Sequence, residues 1–299
     1  MKHLLLDGFN LAFRAYHAVP ALTRDDGFPT GALQGWTRML WKLYDQETPC
    51  RGIVFFDKDG SKRHLALHAD YKANRAETPE PLAKQIPGLK TLASLLGFCV
   101  IEQSGVEADD LIASAAHALT NAGHEVRIAS ADKDFAQCVN ARTHLIVPPP
   151  AGHTKDGWAE LDASGVREKF GVPPEQIVDY LSLIGDTIDN IPGLPGVGPK
   201  TAASWLAEYG NITALLANHE RIRPERFRNV LRNAAAILDR NRQLITFRTD
   251  ISADWEMPAD ADNAGAAAFF EQMQMRVIAK QFEQRLRPKT PATRQMELF

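Results

Sequence analysis

Nine carboxylates in this chain fall at spacings that suit metal chemistry. Three lie within four positions in Gly105-Val106-Glu107-Ala108-Asp109-Asp110. Leu111, Ile112, Ala115, Ala116 and Leu119 follow at helical spacing, so the acids open a buried helix. Alone, that mouth reads equally well as a capping acid plus two first-turn acids favoured by the helix dipole. Other acids arrive in the same kind of place. Asp7 follows the apolar residues 4–6, Asp57 follows 53–56, and Asp132 and Asp134 come just after 126–129. Asp186 and Asp189 end a segment whose Ile177, Tyr180, Leu181 and Ile184 share a helix face. Oxygen donors with no companion His or Cys suit Mg²⁺ or Mn²⁺, not zinc. One Mg²⁺ ordinarily takes one or two carboxylates, so nine acids point to two or more ions. Two such ions about 4 Å apart activate a water and stabilise the leaving oxygen of a phosphodiester.

The elements that must position these acids alternate. Strands at 3–6, 53–56, 98–101, 126–129 and 144–147 are separated by helices at 9–18, around Trp36 to Leu43, at 89–96 and after Glu107. That order predicts an α/β fold, a mostly parallel sheet flanked by helices. Ligands of such sheets bind beyond the carboxyl ends of the strands, and the acids at 7, 57, 107–110 and 132–134 all fall there. Each has a local alternative, since Asp favours turns and caps helices. Four strand ends converging on one site is the simpler account. Residues 61–90 differ, carrying Lys62, Arg63, Lys72, Arg75, Lys84 and Lys90 with Tyr71 among them, and Pro79, Pro81 and Pro87 are expected to break regularity. After about residue 168 the texture turns helical. Gly193, Gly196 and Gly198 precede Lys200, Thr201 and a helix over 202–209. Such a turn lets backbone N–H groups approach a phosphate at a helix start. It does not match the Walker pattern. Eight arginines lie in 220–250, a solvated face or a duplex-binding one. Tyr71 with Lys72 and Arg75 would stack on a base and hold a phosphate.

The 299 residues allow one large or two modest domains. A net charge of -3 does not by itself point to nucleic acid, so the distribution of charge carries the argument. Cys50, Cys99 and Cys138 are odd in number and scattered, which argues against a disulfide framework and for a reducing compartment. The short apolar N-terminus is no signal peptide and no run suits a membrane span, so a cytoplasmic, membrane-free monomer is expected.

These motifs resemble the 5′-to-3′ nuclease domain of bacterial DNA polymerase I, in the flap endonuclease family. The matching stretches are Phe13-Arg14-Ala15-Tyr16-His17-Ala18, Phe56-Asp57, Tyr71-Lys72-Ala73-Asn74-Arg75, residues 105–110, Asp132-Lys133-Asp134, residues 185–192 and Gly196-Val197-Gly198, in family order over about 1–285. The resemblance implies a metal-dependent 5′-to-3′ exonuclease and 5′-flap endonuclease using two metal ions in replication or repair. It implies domains at 1–168, with a basic arch at about 61–90, and at 169–285, a helical subdomain with a helix–three-turn–helix over about 177–209. That motif would grip duplex DNA, with K⁺ at the glycine turn. The first metal group would be Asp7, Asp57, Glu107, Asp109 and Asp110, and the second Asp132, Asp134, Asp186 and Asp189. Lys72, Arg75 and, less directly, Arg14 would meet the scissile phosphate, and Tyr71 a terminal base. Ala131 stands where Gly is usual, and Thr187-Ile188 is bulkier than the usual small pair, so the second group could be tilted. The length leaves no room for a polymerase, so a stand-alone nuclease is expected. In the tail 286–299, read as flexible, Gln295, Met296, Leu298 and Phe299 resemble the peptide by which bacterial repair proteins dock on the DNA sliding clamp.

Three other readings compete. A haloacid-dehalogenase-type phosphatase wants an acid where Phe9 stands. An RNA-cleaving relative would not need the glycine turn. A catalytically weak DNA-structure-binding protein would be expected to have lost acids, and all nine are present.

Overall fold

The computed structural model describes residues 1–48, 50–149, 157–253, 255 and 260–287. The residues from 288 onward, with Gln295, Met296, Leu298 and Phe299, lie outside the described residues. The chain divides into two compact units, one within Met1–Asn10, Glu47–Glu77 and Ile101–Met257, the other within Leu11–Gln46, Thr78–Val100 and Pro258–Phe299. Among the described residues no helix is long and apolar enough to cross a membrane.

A sheet runs in the order β3-β2-β1-β4-β5-β6, with β1 Lys2–Asp7, β2 Arg51–Phe55, β3 Cys99–Ile101, β4 Glu125–Ala129, β5 Thr143–Val147 and β6 Ala159–Leu161, all in the first unit except Cys99 and Val100. β1 runs parallel to β2 and β4, and β4 parallel to β5, as expected; β6 pairs antiparallel to β5. Strand β6 escaped the sequence reading because it has only three residues, and two of them are exposed. Leu4, Leu5 and Leu6 are all fully buried. A parallel strand covered on both faces needs this unbroken apolar run, not an alternating one. Burying each such leucine stabilises the fold by about 1.5–3 kcal/mol. Asp7 pairs with Phe55 and Leu6 with Ala129, so β1, β2 and β4 end level. The helix Ala108–Asn121 buries Leu111, Ile112, Ala115, Ala116 and Leu119. Beyond the sheet come the helices Ile177–Ile184, Pro199–Tyr209, Ile212–Ala217, Arg226–Arg232 and Ala235–Ile245. Between the first two of these sits a two-residue hairpin, β7 Gly185–Asp186 and β8 Ile191–Pro192.

The second unit is helical. Its helix Gly31–Glu47 buries Leu33, Trp36, Leu40 and Leu43, and Trp41 stacks on Phe282 with the rings 6.2 Å apart. Phe270 meets both rings edge-on, so the late aromatics form this unit's own core. The prolines of 79–87 do not break regularity as expected. Pro79 caps the helix Glu80–Ala83, and Pro81 and Pro87 sit in first turns. Proline lacks only an N–H that a first turn leaves unpaired anyway. Residues 61–90 are shared, with 61–77 in the first unit and 78–90 in the second.

Candidate active site

Asp7 is the last residue of β1 and is 7% exposed. Its carboxylate accepts from Asn10 N at 3.0 Å and from Ser130 Oγ at 2.9 Å. Burial pushes its pKa up to about 7, with Asp132 and Asp57 adding repulsion. Asp57 lies two residues past β2 and accepts from Ala108 N, the first residue of the acidic helix, at 2.7 Å. A carboxylate on an unpaired helix N–H is favoured by charge and by hydrogen bonding. Asp109 is raised well above the usual carboxylate range by burial and by Asp7, Asp132 and Asp57, against the pull of Lys72. Asp134 is raised well above that range by burial and by Asp132, Asp186 and Asp189. Asp132 is raised by burial and feels Asp189 and Asp186, so it links the two groups.

Glu107 behaves in the opposite sense. Burial pushes its pKa up, but His64 and Lys72 outweigh burial and bring it down to about 2. One oxygen, Oε2, takes Lys72 Nζ at 3.0 Å and the Tyr71 hydroxyl at 3.3 Å, and lies 3.3 Å from His64 Nδ1. Asp189 is gripped in the same way, by Arg75 Nε at 3.2 Å and Nη2 at 2.5 Å, with the Tyr71 hydroxyl at 3.4 Å. Burial alone would lower Lys72, but Asp109, Glu107 and Asp189 more than reverse that. Tyr71 is 8% exposed, its ring 4.8 Å from that of His64. In this arrangement it is a buried donor to two acids, not an open platform for a base.

The segment 68–75 is tied to the loop of the β7–β8 hairpin by its backbone as well. Lys72 N donates to Asp189 O at 3.1 Å, His68 Nε2 lies 3.0 Å from Asn190 O, and Asn190 Nδ2 reaches Asp70 O at 2.8 Å. Asn74 Nδ2 donates to Thr187 O at 2.6 Å. Lys72 and Asn190 both adopt positive φ, 57° and 58°, a region that costs a non-glycine residue about 1–2 kcal/mol. The reciprocal bonds hold them there. The hairpin rests on a backbone crossing, since a Cβ on Gly185 would stand 2.3 Å from Gly193 N. Gly193 therefore lacks a side chain for the fold's own sake. Gly196, at φ 73°, and Gly198, with open space around it, continue the turn into the helix Pro199–Tyr209. Lys200 is exposed and Thr201 partly so on its first turn.

Eight of the nine acids are thus brought together. Asp110 is the exception, because successive helical residues point about 100° apart. Its carboxylate accepts Arg248 N at 2.8 Å and feels His64, Arg63 and, of the other acids, Glu107. Arg14 lies on the helix Gly8–Ala18 in the second unit. Sequence reasoning overlooked Ser130, 2% exposed, whose hydroxyl serves Asp7 and accepts Asp132 N at 3.0 Å. It also overlooked Asn10, which accepts Ala131 N at 3.1 Å. A polar residue two before Asp132 and another three after Asp7 fit the local turns Ser and Asn favour, which was the available signal. Among the described residues no three acidic, His or Cys side chains converge closely enough to hold an ion as they stand. Lys72, Arg75 and Lys133 are paired with them instead.

Residues 2–171 match the 5′-3′ exonuclease N-terminal resolvase-like domain, and 172–264 the 5′-3′ exonuclease C-terminal SAM fold. The chain belongs to the 5′-3′ exonuclease family. Its members are hydrolases, and the chain is an enzyme of that class. A 5′-3′ exonuclease of Aquifex aeolicus is 40% identical over 226 residues, 75% of this chain and 76% of that protein. A thermostable DNA polymerase I of Thermus thermophilus is 37% identical over 93% of this chain, which spans only 33% of the polymerase. The fold is shared with a bacteriophage T5 flap endonuclease in complex with DNA and metal ions, at a TM-score of 0.69 and 20% identity, over 95% of this chain and 98% of that one.

Proposed function

We propose that the chain hydrolyses phosphodiester bonds of DNA bearing a free 5′ end, as a divalent-metal-dependent 5′-to-3′ exonuclease and 5′-flap endonuclease in replication or repair. The observation that carries this reading is the gathering of eight carboxylates from β1, β2, the helix Ala108–Asn121, β4 and the β7–β8 hairpin around Lys72, Arg75 and Lys133. The T5 relative's complex with DNA and metal ions supports it.

The residues present fit Mg²⁺ or Mn²⁺. The donors are all oxygens, and Asp134 Oδ1 is buried without a hydrogen-bond partner. Burial and mutual repulsion raise Asp7, Asp109 and Asp134, a strain that divalent charge relieves. Asp7, Asp57, Glu107 and Asp109 would hold one group of ions, with Asp110 behind them. Asp132, Asp134, Asp186 and Asp189 would hold the other. Bound there, the ions supply an activated water and a stabilised leaving oxygen. The chain's own cations meet the phosphate. The Arg75 side chain is 44% exposed beside Asp189 and Lys72 lies next to Glu107. Fixed charge aimed at a developing oxyanion is worth most where water is sparse. The turn with Gly196, Gly198, Lys200 and Thr201 would hold duplex backbone, with K⁺ as its counter-ion. The C-terminal residues Gln295, Met296, Leu298 and Phe299 are proposed to dock on a sliding clamp, tethering the enzyme near its substrate.

A synthetic 5′-flap duplex tests the reading. Short 5′ products with Mg²⁺ and none with EDTA are expected. Equal cleavage in both overturns it.

A further inference from the structure

Lys133 opens a short 3-10 helix, Lys133–Cys138, whose cap is Asp132. Its ammonium reaches across to the β7–β8 hairpin and donates to Asp186 Oδ2 at 2.5 Å. The same nitrogen lies 3.7 Å from Asp134 Oδ1, the buried oxygen that has no hydrogen-bond partner. The other oxygen of Asp186 is committed to Ile188 N at 2.8 Å. One oxygen of Asp134 and one of Asp186 therefore share a lysine of the chain itself.

We propose that Lys133 is a resident counter-ion of the second carboxylate group, holding Asp134 and Asp186 in place and competing with a divalent ion for them. The inference rests on the metal-dependent reading above and deepens it. Asp134 and Asp186 come from separate segments, and two buried carboxylates facing each other repel unless a cation sits near both. An ammonium is a compact charge on a flexible stem, and this side chain is 32% exposed, so it can leave toward solvent. A divalent ion held by Asp134 and Asp186 would have to displace the ammonium from its place beside them. Its apparent affinity then falls by the fraction of time that place is open. If the ammonium fills it nine-tenths of the time, the loss is about tenfold. Lys72 sits on Glu107 of the first group and Arg75 on Asp189 of the second, so each group of acids holds a cation of the chain, and the second holds two.

The sign of the effect separates this role from a structural one. A lysine that merely braces the turn would, when removed, leave metal binding unchanged or weaken it. A competing counter-ion, when removed, makes it tighter. The test is calorimetric titration of Mn²⁺ into the full chain without DNA, beside thermal melting in EDTA. Lys133→Met is expected to tighten the weaker binding step about tenfold and to lower the metal-free melting temperature, with Mn²⁺ restoring it. Lys133→Arg keeps the charge and is expected to show no tightening. Lys133→Gln, which keeps a polar reach to Asp186, provides the same comparison if the methionine variant does not fold without metal. Unchanged or weaker Mn²⁺ binding in the uncharged variants overturns the counter-ion role alone. A wild-type chain that binds no Mn²⁺ at all overturns the metal-dependent reading, and this inference with it.

Discussion

Replacing Asp7 with asparagine should make the metal-free protein more stable while abolishing its activity. Asp7 has the same shape as asparagine, and Ser130 Oγ can accept from an amide as readily as it donates to a carboxylate. The difference is charge. The Asp7 carboxyl titrates near 3.8 when unfolded and at about 7 in the fold. Between pH 4 and 7 the unfolded chain has released this proton and the folded chain keeps it, so stability falls as pH rises through that window. About three units at about 1.4 kcal/mol each give about 4 kcal/mol at full ionisation. Asp109 and Asp134 share the repulsion, so about 2–4 kcal/mol is the expected gain for Asp7→Asn at pH 7.5. At 2–4 °C per kcal/mol that is roughly 4–16 °C. Glu107 does not confuse the window. Held down to about 2, it adds stability that is complete above pH 4.5 and lost only as pH falls through 2. The assay is thermal melting of both proteins in EDTA at pH 4.5 and 7.5, repeated with Mg²⁺. With Mg²⁺ the wild type should recover about 2.7 kcal/mol at a hundredfold excess over its dissociation constant, and the variant less. A variant that melts at or below the wild type at pH 7.5 in EDTA would refute the reasoning, as would an advantage equal at both pH values.

Asp109→Ala should lose flap cleavage by at least a hundredfold while retaining duplex binding in gel-shift titration; retained wild-type turnover would remove Asp109 from the site. Gly185→Ala places a Cβ 2.3 Å from Gly193 N and 2.5 Å from Ile191 O at a φ of 76°. It should cost about 2–4 kcal/mol by denaturant midpoint, and a variant within about 0.5 kcal/mol of wild type would show that the crossing is not fixed.

The sheet was legible because its signal is local. Residues 4–6 and 53–56 are apolar runs stopped by acids, 126–129 is a mainly apolar strand with Asp132 three residues on, and a parallel sheet places every such stop on one edge. The acid groups were legible for the same reason. Asp110 was not, since adjacent acids in one helix look alike in sequence and only the helix's rotation decides which faces the site. Nor was the Tyr71-Lys72-Arg75 cluster. Its types suggest contacts with substrate, yet in the fold each first meets an acid, because oppositely charged buried groups pair with whatever is nearest. The β7–β8 interlock with 68–75 joins residues more than a hundred positions apart, and no spacing rule reaches that far. Prolines 81 and 87 misled because proline both breaks helices and begins them.

The level strand ends also bear on how the protein is made. Asp189 is synthesised 182 positions after Asp7 (189 − 7). At a ribosomal pace of about 5–20 residues per second, roughly 10–35 s separate them. During that interval the early acids do not have the hairpin's Asp186 and Asp189 beside them. The acids therefore come together in full only when the last contributor emerges and docks.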